Sequence, residues 1–133
     1  MNPRQAAIRK AERMVCPVCG GRASFLLESS SVYGRDFGPL FICSNFPKCD
    51  ARVGAHRNTL KPKGTLAGAN LRELRKKCHD LFDPLWRSGE LDRSEAYRLL
   101  AKAMNITTKQ AHIAMFTEDD CRHLLSILTG TPT

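Results

Sequence analysis

Four cysteines in two clusters constrain this chain more than any other feature. They stand as Cys16-Pro17-Val18-Cys19-Gly20 and, after a gap of 23 residues, as Cys43-Ser44-Asn45-Phe46-Pro47-Lys48-Cys49. Two thiolates at CxxC spacing, followed by a second pair at loop spacing, can close a tetrahedral S4 shell around one zinc ion. Proline restricts φ and glycine permits positive φ, so the first cluster can turn back and aim both sulfurs at one metal. The second cluster is longer by three residues, and Asn45, Pro47 and Lys48 supply its turn. The expected cofactor is one structural Zn2+ held by Cys16, Cys19, Cys43 and Cys49.

The competing readings are a redox CxxC and a disulfide framework, because the total of six cysteines is even. The basic start, Met1 to Arg13, lacks the apolar run of a secretory leader, which argues for a reducing, cytoplasmic setting. Apolar residues make up 42 % of the chain, enough for a core, but their runs are too short to span a bilayer. No membrane association is expected.

The formal net charge of +8 is unevenly placed. Residues 1–64 carry eleven Lys/Arg against four Asp/Glu, whereas residues 65–133 carry ten against nine. Four thiolates and one Zn2+ together take two charges from the first half, which leaves it near +5. A polyanion would therefore sit on the cysteine-bearing half. A solvated basic surface without a partner is the bland alternative.

The pattern predicts an α+β protein: a small β zinc ribbon with a basic N-terminal segment over residues 1–60, then a helical unit of three to four short helices over 65–133. Short strand-like pieces are expected at 23–28, 31–33, 40–43 and 51–55, bounded by glycine and proline. The stretch Lys61-Pro62-Lys63-Gly64 reads as a turn or linker. Arg4 to Met14 reads as a turn or two of basic helix, or as a frayed end.

Beyond the linker the apolar period becomes helical: Leu71, Leu74, Cys78, Leu81/Phe82 and Leu85. Asp83-Pro84 should end or kink that helix. A second helix is expected from Asp92, with Glu95 completing a capping box, then a short helix over 109–116 and a fourth capped by Thr117. Cys78 and Cys121 fall on apolar faces as buried thiols rather than ligands. Residues 93–116 have the length of a helix-turn-helix, with Lys109, Gln110 and His112 at the start of the second helix. An ordinary packing unit fits the same pattern.

Five of the nine aromatic residues, Phe25, Tyr33, Phe37, Phe41 and Phe46, lie in the ribbon half, interleaved with Arg22, Arg35, Lys48, Arg52 and Arg57. Aromatic faces stack on unpaired bases while cations track phosphates. The candidate nucleic-acid residues are therefore Arg22, Tyr33, Arg35, Phe37, Phe41, Phe46, Lys48, Arg52 and Arg57. Some of these aromatics must instead form the ribbon's small core. Alternation puts Phe41 and Cys43 on one strand face and Leu40 and Ile42 on the other, without saying which face is exposed.

Residues 14–55 resemble the C-terminal zinc ribbons of bacterial type IA DNA topoisomerases, in which a CPxCG knuckle precedes a segment of the form G-x-F-x-x-C-S-N-x-P-x-C. Here that segment is Gly38-Pro39-Leu40-Phe41-Ile42-Cys43-Ser44-Asn45-Phe46-Pro47-Lys48-Cys49, one residue longer before the aromatic. The resemblance implies contact with single-stranded DNA and no strand cleavage. The whole chain, including Leu71 to Lys77, Phe82 to Trp86 and His112 to Phe116, also resembles short zinc-finger-containing proteins of phages, prophages and bacteria. That likeness implies a bacterial cell or a phage-infected host as the setting.

No nucleophile elbow, phosphate loop or H-x-E array occurs, the four histidines are scattered, and a four-thiolate zinc has no open position. No enzyme and no small-molecule substrate are expected. The expected function is binding of nucleic acid, single-stranded DNA or RNA, through the ribbon. The alternative is an adaptor in which zinc is purely structural and the helical half binds a protein partner.

Overall fold

The computed structural model describes residues 1–130 and is a small α+β structure. It divides into two compact units, Met1–Ala69 and Asn70–Thr133.

In the first unit, helix α1 (Pro3–Arg13) is well defined at its start. Pro3 occupies the first helical position, and Asn2 and Gln5 exchange side-chain-to-backbone bonds of 2.8 and 3.2 Å. Ala7 and Ala11, one turn apart, bury the inner face of α1 where it packs on β1 (Ala23–Leu26). Strands β1, β2 (Leu40–Cys43) and β3 (Arg52–Gly54) form an antiparallel sheet in that order. Ala23 faces Cys43, Leu26 faces Leu40, and Leu40 faces Gly54.

Every residue of the central strand β2 is buried, so both of its faces are covered. Phe41 is 0 % exposed and packs on Phe25, ring centroids 5.2 Å apart. Phe41 is thus a core residue of the ribbon, and its place among the candidate base-stacking residues is corrected.

The strand expected at 31–33 is instead a single-turn helix, α2 (Ser30–Tyr33). Because Leu26 pairs with Leu40, residues 27–39 form the connection between β1 and β2 and have no strand to join. They close on themselves. Ser29 N–H donates to Asp36 Oδ1 (3.1 Å), Gly38 N–H to the same oxygen (2.7 Å), and Phe37 N–H to Ser29 Oγ (2.9 Å). These donors, Gly38 first, hold the Asp36 carboxyl below its ordinary range. Residues 61–68 return along β3 rather than leave the unit: Lys63 N–H donates to Gly54 O (2.9 Å), and Arg52 and Ala67 exchange backbone bonds of 3.0 and 3.2 Å.

The second unit contains α3 (Ala69–Phe82), α4 (Pro84–Arg87), α5 (Arg93–Met104) and α6 (Glu118–Thr129). Its core gathers Cys78, Phe82, Leu100, Met104, Ile113, Phe116, Cys121 and Leu124. Asp83 marks the break between α3 and α4. It is only 8 % exposed and meets His79 Nδ1 at 3.1 Å and Trp86 Nε1 at 3.3 Å.

The helix expected over 109–116 is absent. Asn105 ends α5 in the left-handed conformation (φ 57°), and Thr107 and Gln110 then close a turn by reciprocal bonds of 3.0 and 3.1 Å. A 3-10 turn at Ile113–Met115 follows, with Ile113 and Phe116 driven into the core. The recognition helix of a helix-turn-helix is therefore missing, and that expectation is corrected. Among the described residues no helix is long and apolar enough to cross a membrane.

Candidate metal centre and ribbon surface

Two loops at one end of the sheet carry the four sulfurs. In the first, Cys16 N–H donates to Gly21 O (2.7 Å) and Gly20 N–H to Cys16 O (2.9 Å), with Gly20 at φ 79°, where a side chain is disfavoured. In the second, Phe46 N–H donates to Cys43 O (3.0 Å) and Cys49 N–H to Asn45 O (3.1 Å). The loops are tied together where Ser44 N–H donates to Arg22 O (2.8 Å).

All four ligand atoms lie within 4.8 Å of one another, with Cys16 and Cys49 sulfurs 3.7 Å apart and Cys19 and Cys43 sulfurs 3.4 Å apart. A tetrahedron of Zn–S bonds near 2.3 Å has edges of about 3.8 Å. The four cysteines thus form a site for one structural zinc, while Cys78 and Cys121 are buried elsewhere, Cys78 Sγ donating to Cys121 O at 3.5 Å.

Cys19, the exposed member, is supported from outside the shell: Asn45 Nδ2 and Gly21 N–H each donate to its sulfur at 3.4 Å. These donors, Asn45 first, lower the Cys19 thiol to about 6. Burial pushes the Cys43 thiol up to about 12. A Cβ at Gly21 would stand 2.7 Å from Asn45 Nδ2, so a side chain there would push Asn45 away from the Cys19 sulfur. Asn45 was legible only as a turn former. Its role toward Cys19 depends on the two loops meeting.

Residues 12–131 match the family described as a zinc-finger-containing domain. The chain belongs to that family. No curated protein and no solved structure matches it.

In this zinc-finger-containing domain the nine residues proposed for nucleic acid fall in different places. Arg22, Phe46 and Lys48 lie on the metal loops at the Cys43 end of β2, all exposed, Phe46 by 37 %. Phe41 is internal. Tyr33, Arg35, Phe37, Arg52 and Arg57 come together around α2 and the loop after it. Tyr33 and Phe37 are 43 % and 56 % exposed and meet edge to face, centroids 5.5 Å apart at 90°. Arg35 lies over Phe37 at 4.6 Å, and Arg52 lies over Tyr33 at 5.1 Å while its Nε donates to the Tyr33 hydroxyl at 2.9 Å. Arg57 rests against Gly38, its Nη2 3.2 Å from where a Cβ would stand. Beside the rings is a hollow of about 390 Å3 lined by Ser29, Tyr33, Phe37, Gly38, Leu40 and Gly54.

Proposed function

We propose that this zinc-finger-containing domain binds single-stranded nucleic acid through the Tyr33–Phe37 surface of its ribbon, with zinc holding the fold rather than performing chemistry. The carrying observation is that two exposed aromatic rings touch each other and each bears an arginine. A ring flanked by a guanidinium offers a base both a stacking face and a nearby phosphate contact. Duplex bases present no free face, so an unpaired strand is the matching ligand. The surplus of seven basic residues over residues 1–64, and the resemblance of residues 14–55 to ribbons that contact single-stranded DNA, support the same reading.

The test is binding of labelled single- and double-stranded DNA and RNA at two salt concentrations, with zinc content measured for each variant. Phe37→Ala should weaken single-strand binding by about 1 to 3 kcal/mol with the salt slope unchanged, because stacking displaces few ions. Arg35→Ala or Arg57→Ala should weaken binding to all sequences alike and make the slope shallower by about 0.7. If Tyr33→Ala and Phe37→Ala keep zinc and bind strands as the parent does, the reading fails. Protein lacking all nucleic-acid affinity while correctly folded would point to the adaptor.

A further inference from the structure

A polar hollow of about 440 Å3 lies in the helical unit, between one face of α5 and the turn that follows it. Its walls include Arg93, Ser94, Tyr97 and Arg98 from α5 and Thr108 and His112 from the turn. At about 100° per residue, the four helical positions share an arc of about 140° that leaves Glu95 outside. No carboxylate lines the hollow. This segregation is unexpected in a half of the chain where ten Lys/Arg are nearly balanced by nine Asp/Glu.

One arginine and the backbone of the turn are held in place. Arg93 is fixed over two rings, 4.8 Å from Tyr97 and 5.4 Å from Trp86. The turn is closed by the Thr107–Gln110 bonds and by Ala111 N–H donating to Thr107 O and Thr108 O at 3.0 and 3.2 Å. Arg93 and Tyr97 engage each other, but the remaining polar groups facing the hollow are unspent. Among the described residues Arg98 pairs with no carboxylate, and the side chains of Ser94, Thr108 and His112 make no hydrogen bond.

We infer that this hollow binds a terminal phosphate, a phosphomonoester carried by a nucleotide-sized molecule or by the end of a nucleic-acid strand. Two guanidinium forks, two hydroxyls and an imidazole supply more donors than the two oxygens of a carboxylate or of an internal phosphodiester can use. A phosphomonoester presents three oxygens and a charge of about −1.5 to −2. The space exceeds that of phosphate alone, and the Tyr97 ring provides a wall for the group that carries it. The inference does not rest on the ribbon surface.

The test uses the full zinc-loaded chain in amide-resolved NMR titrations at constant ionic strength. Inorganic phosphate should give saturable shifts confined to residues 93–98 and 107–112 and to the His112 ring. Arg98→Ala, which removes no ion pair, should weaken that binding about tenfold or more, as expected for loss of a charge-assisted bond. AMP, and an oligonucleotide compared with and without its 5′-phosphate, separate the two sources. Tighter binding conferred by the phosphate in either arm supports the site. Phe37→Ala should leave the phosphate titration unchanged, so failure here is distinct from failure at the ribbon. Shifts no larger than those caused by chloride, or a phosphate affinity in Arg98→Ala and in His112→Ala equal to that of the parent chain, would overturn the inference.

Discussion

At the scale of single residues, side chains that look alike in the sequence do different work. Phe41 and Phe37 are both ribbon aromatics, but Phe41 is 0 % exposed against Phe25 whereas Phe37 is 56 % exposed. Phe41→Ala should therefore cost about 3 to 5 kcal/mol in denaturant unfolding of the zinc-loaded protein, through lost burial and the cavity left behind. Phe37→Ala should cost far less in the same measurement. Around the metal, Cys43→Ser removes a ligand and should abolish zinc retention, while Cys78→Ala should leave one zinc per chain. Asn45→Ala keeps all four sulfurs but removes a donor to Cys19. Loss of such outer-shell partners commonly weakens metal affinity by about 10- to 100-fold, which a competition titration with a chromophoric chelator would read.

At the scale of elements, two helix starts that read alike as sequences differ in their bonding. At α6 the Thr117 hydroxyl accepts from Asp120 N–H at 3.2 Å, and Asp120 in turn accepts from Thr117 N–H at 3.1 Å. At α5, where Asp92 and Glu95 have the same spacing, Asp92 makes no side-chain capping bond. Thr117→Ala should destabilise the protein by about 1 kcal/mol. Asp92→Ala should cost less than half of that, leaving only its interaction with the helix dipole to lose. Thermal unfolding of the two variants side by side tests the difference, and equal losses would mean that Asp92 caps after all. The absent helix at 109–116 belongs to this scale too. Its residues favour a local turn, but burial of Ile113 and Phe116, three apart, is what bends the chain inward.

At the scale of the whole molecule, the two units have separate cores. One gathers Ala7, Ala11, Phe41 and the buried ligands, and the other gathers Phe82, Leu100, Ile113 and Leu124. The first is small and rests on strands of three or four residues, so the metal supplies much of its folding free energy, on the order of 10 kcal/mol. A strong chelator should therefore strip amide-exchange protection from β1, β2 and β3 while α3, α5 and α6 keep theirs. Simultaneous loss of protection in both halves would show that the helical core cannot stand without the ribbon.

The amino-acid sequence by itself determined the metal ligands, the position of β2 and the cap of α6, whereas it left the segment of α1 open between helix and frayed end. Each of these depends on residue type and short-range spacing: thiol chemistry across a tight loop, a run of apolar residues between breakers, a hydroxyl three residues before an acceptor. What the tertiary structure decided is which groups face outward and which meet across long separations. Strand alternation assigned Phe41 to a face, but only the packing of both faces of β2 placed it inside. Tyr33 and Arg52 are nineteen residues apart, and Asn45 and Cys19 twenty-six. Their pairing required the sheet register and the meeting of two loops, which no local pattern encodes. The hollow between α5 and the turn at 107–112 arose in the same way, from cations and hydroxyls whose convergence exists only once the chain has turned at Asn105.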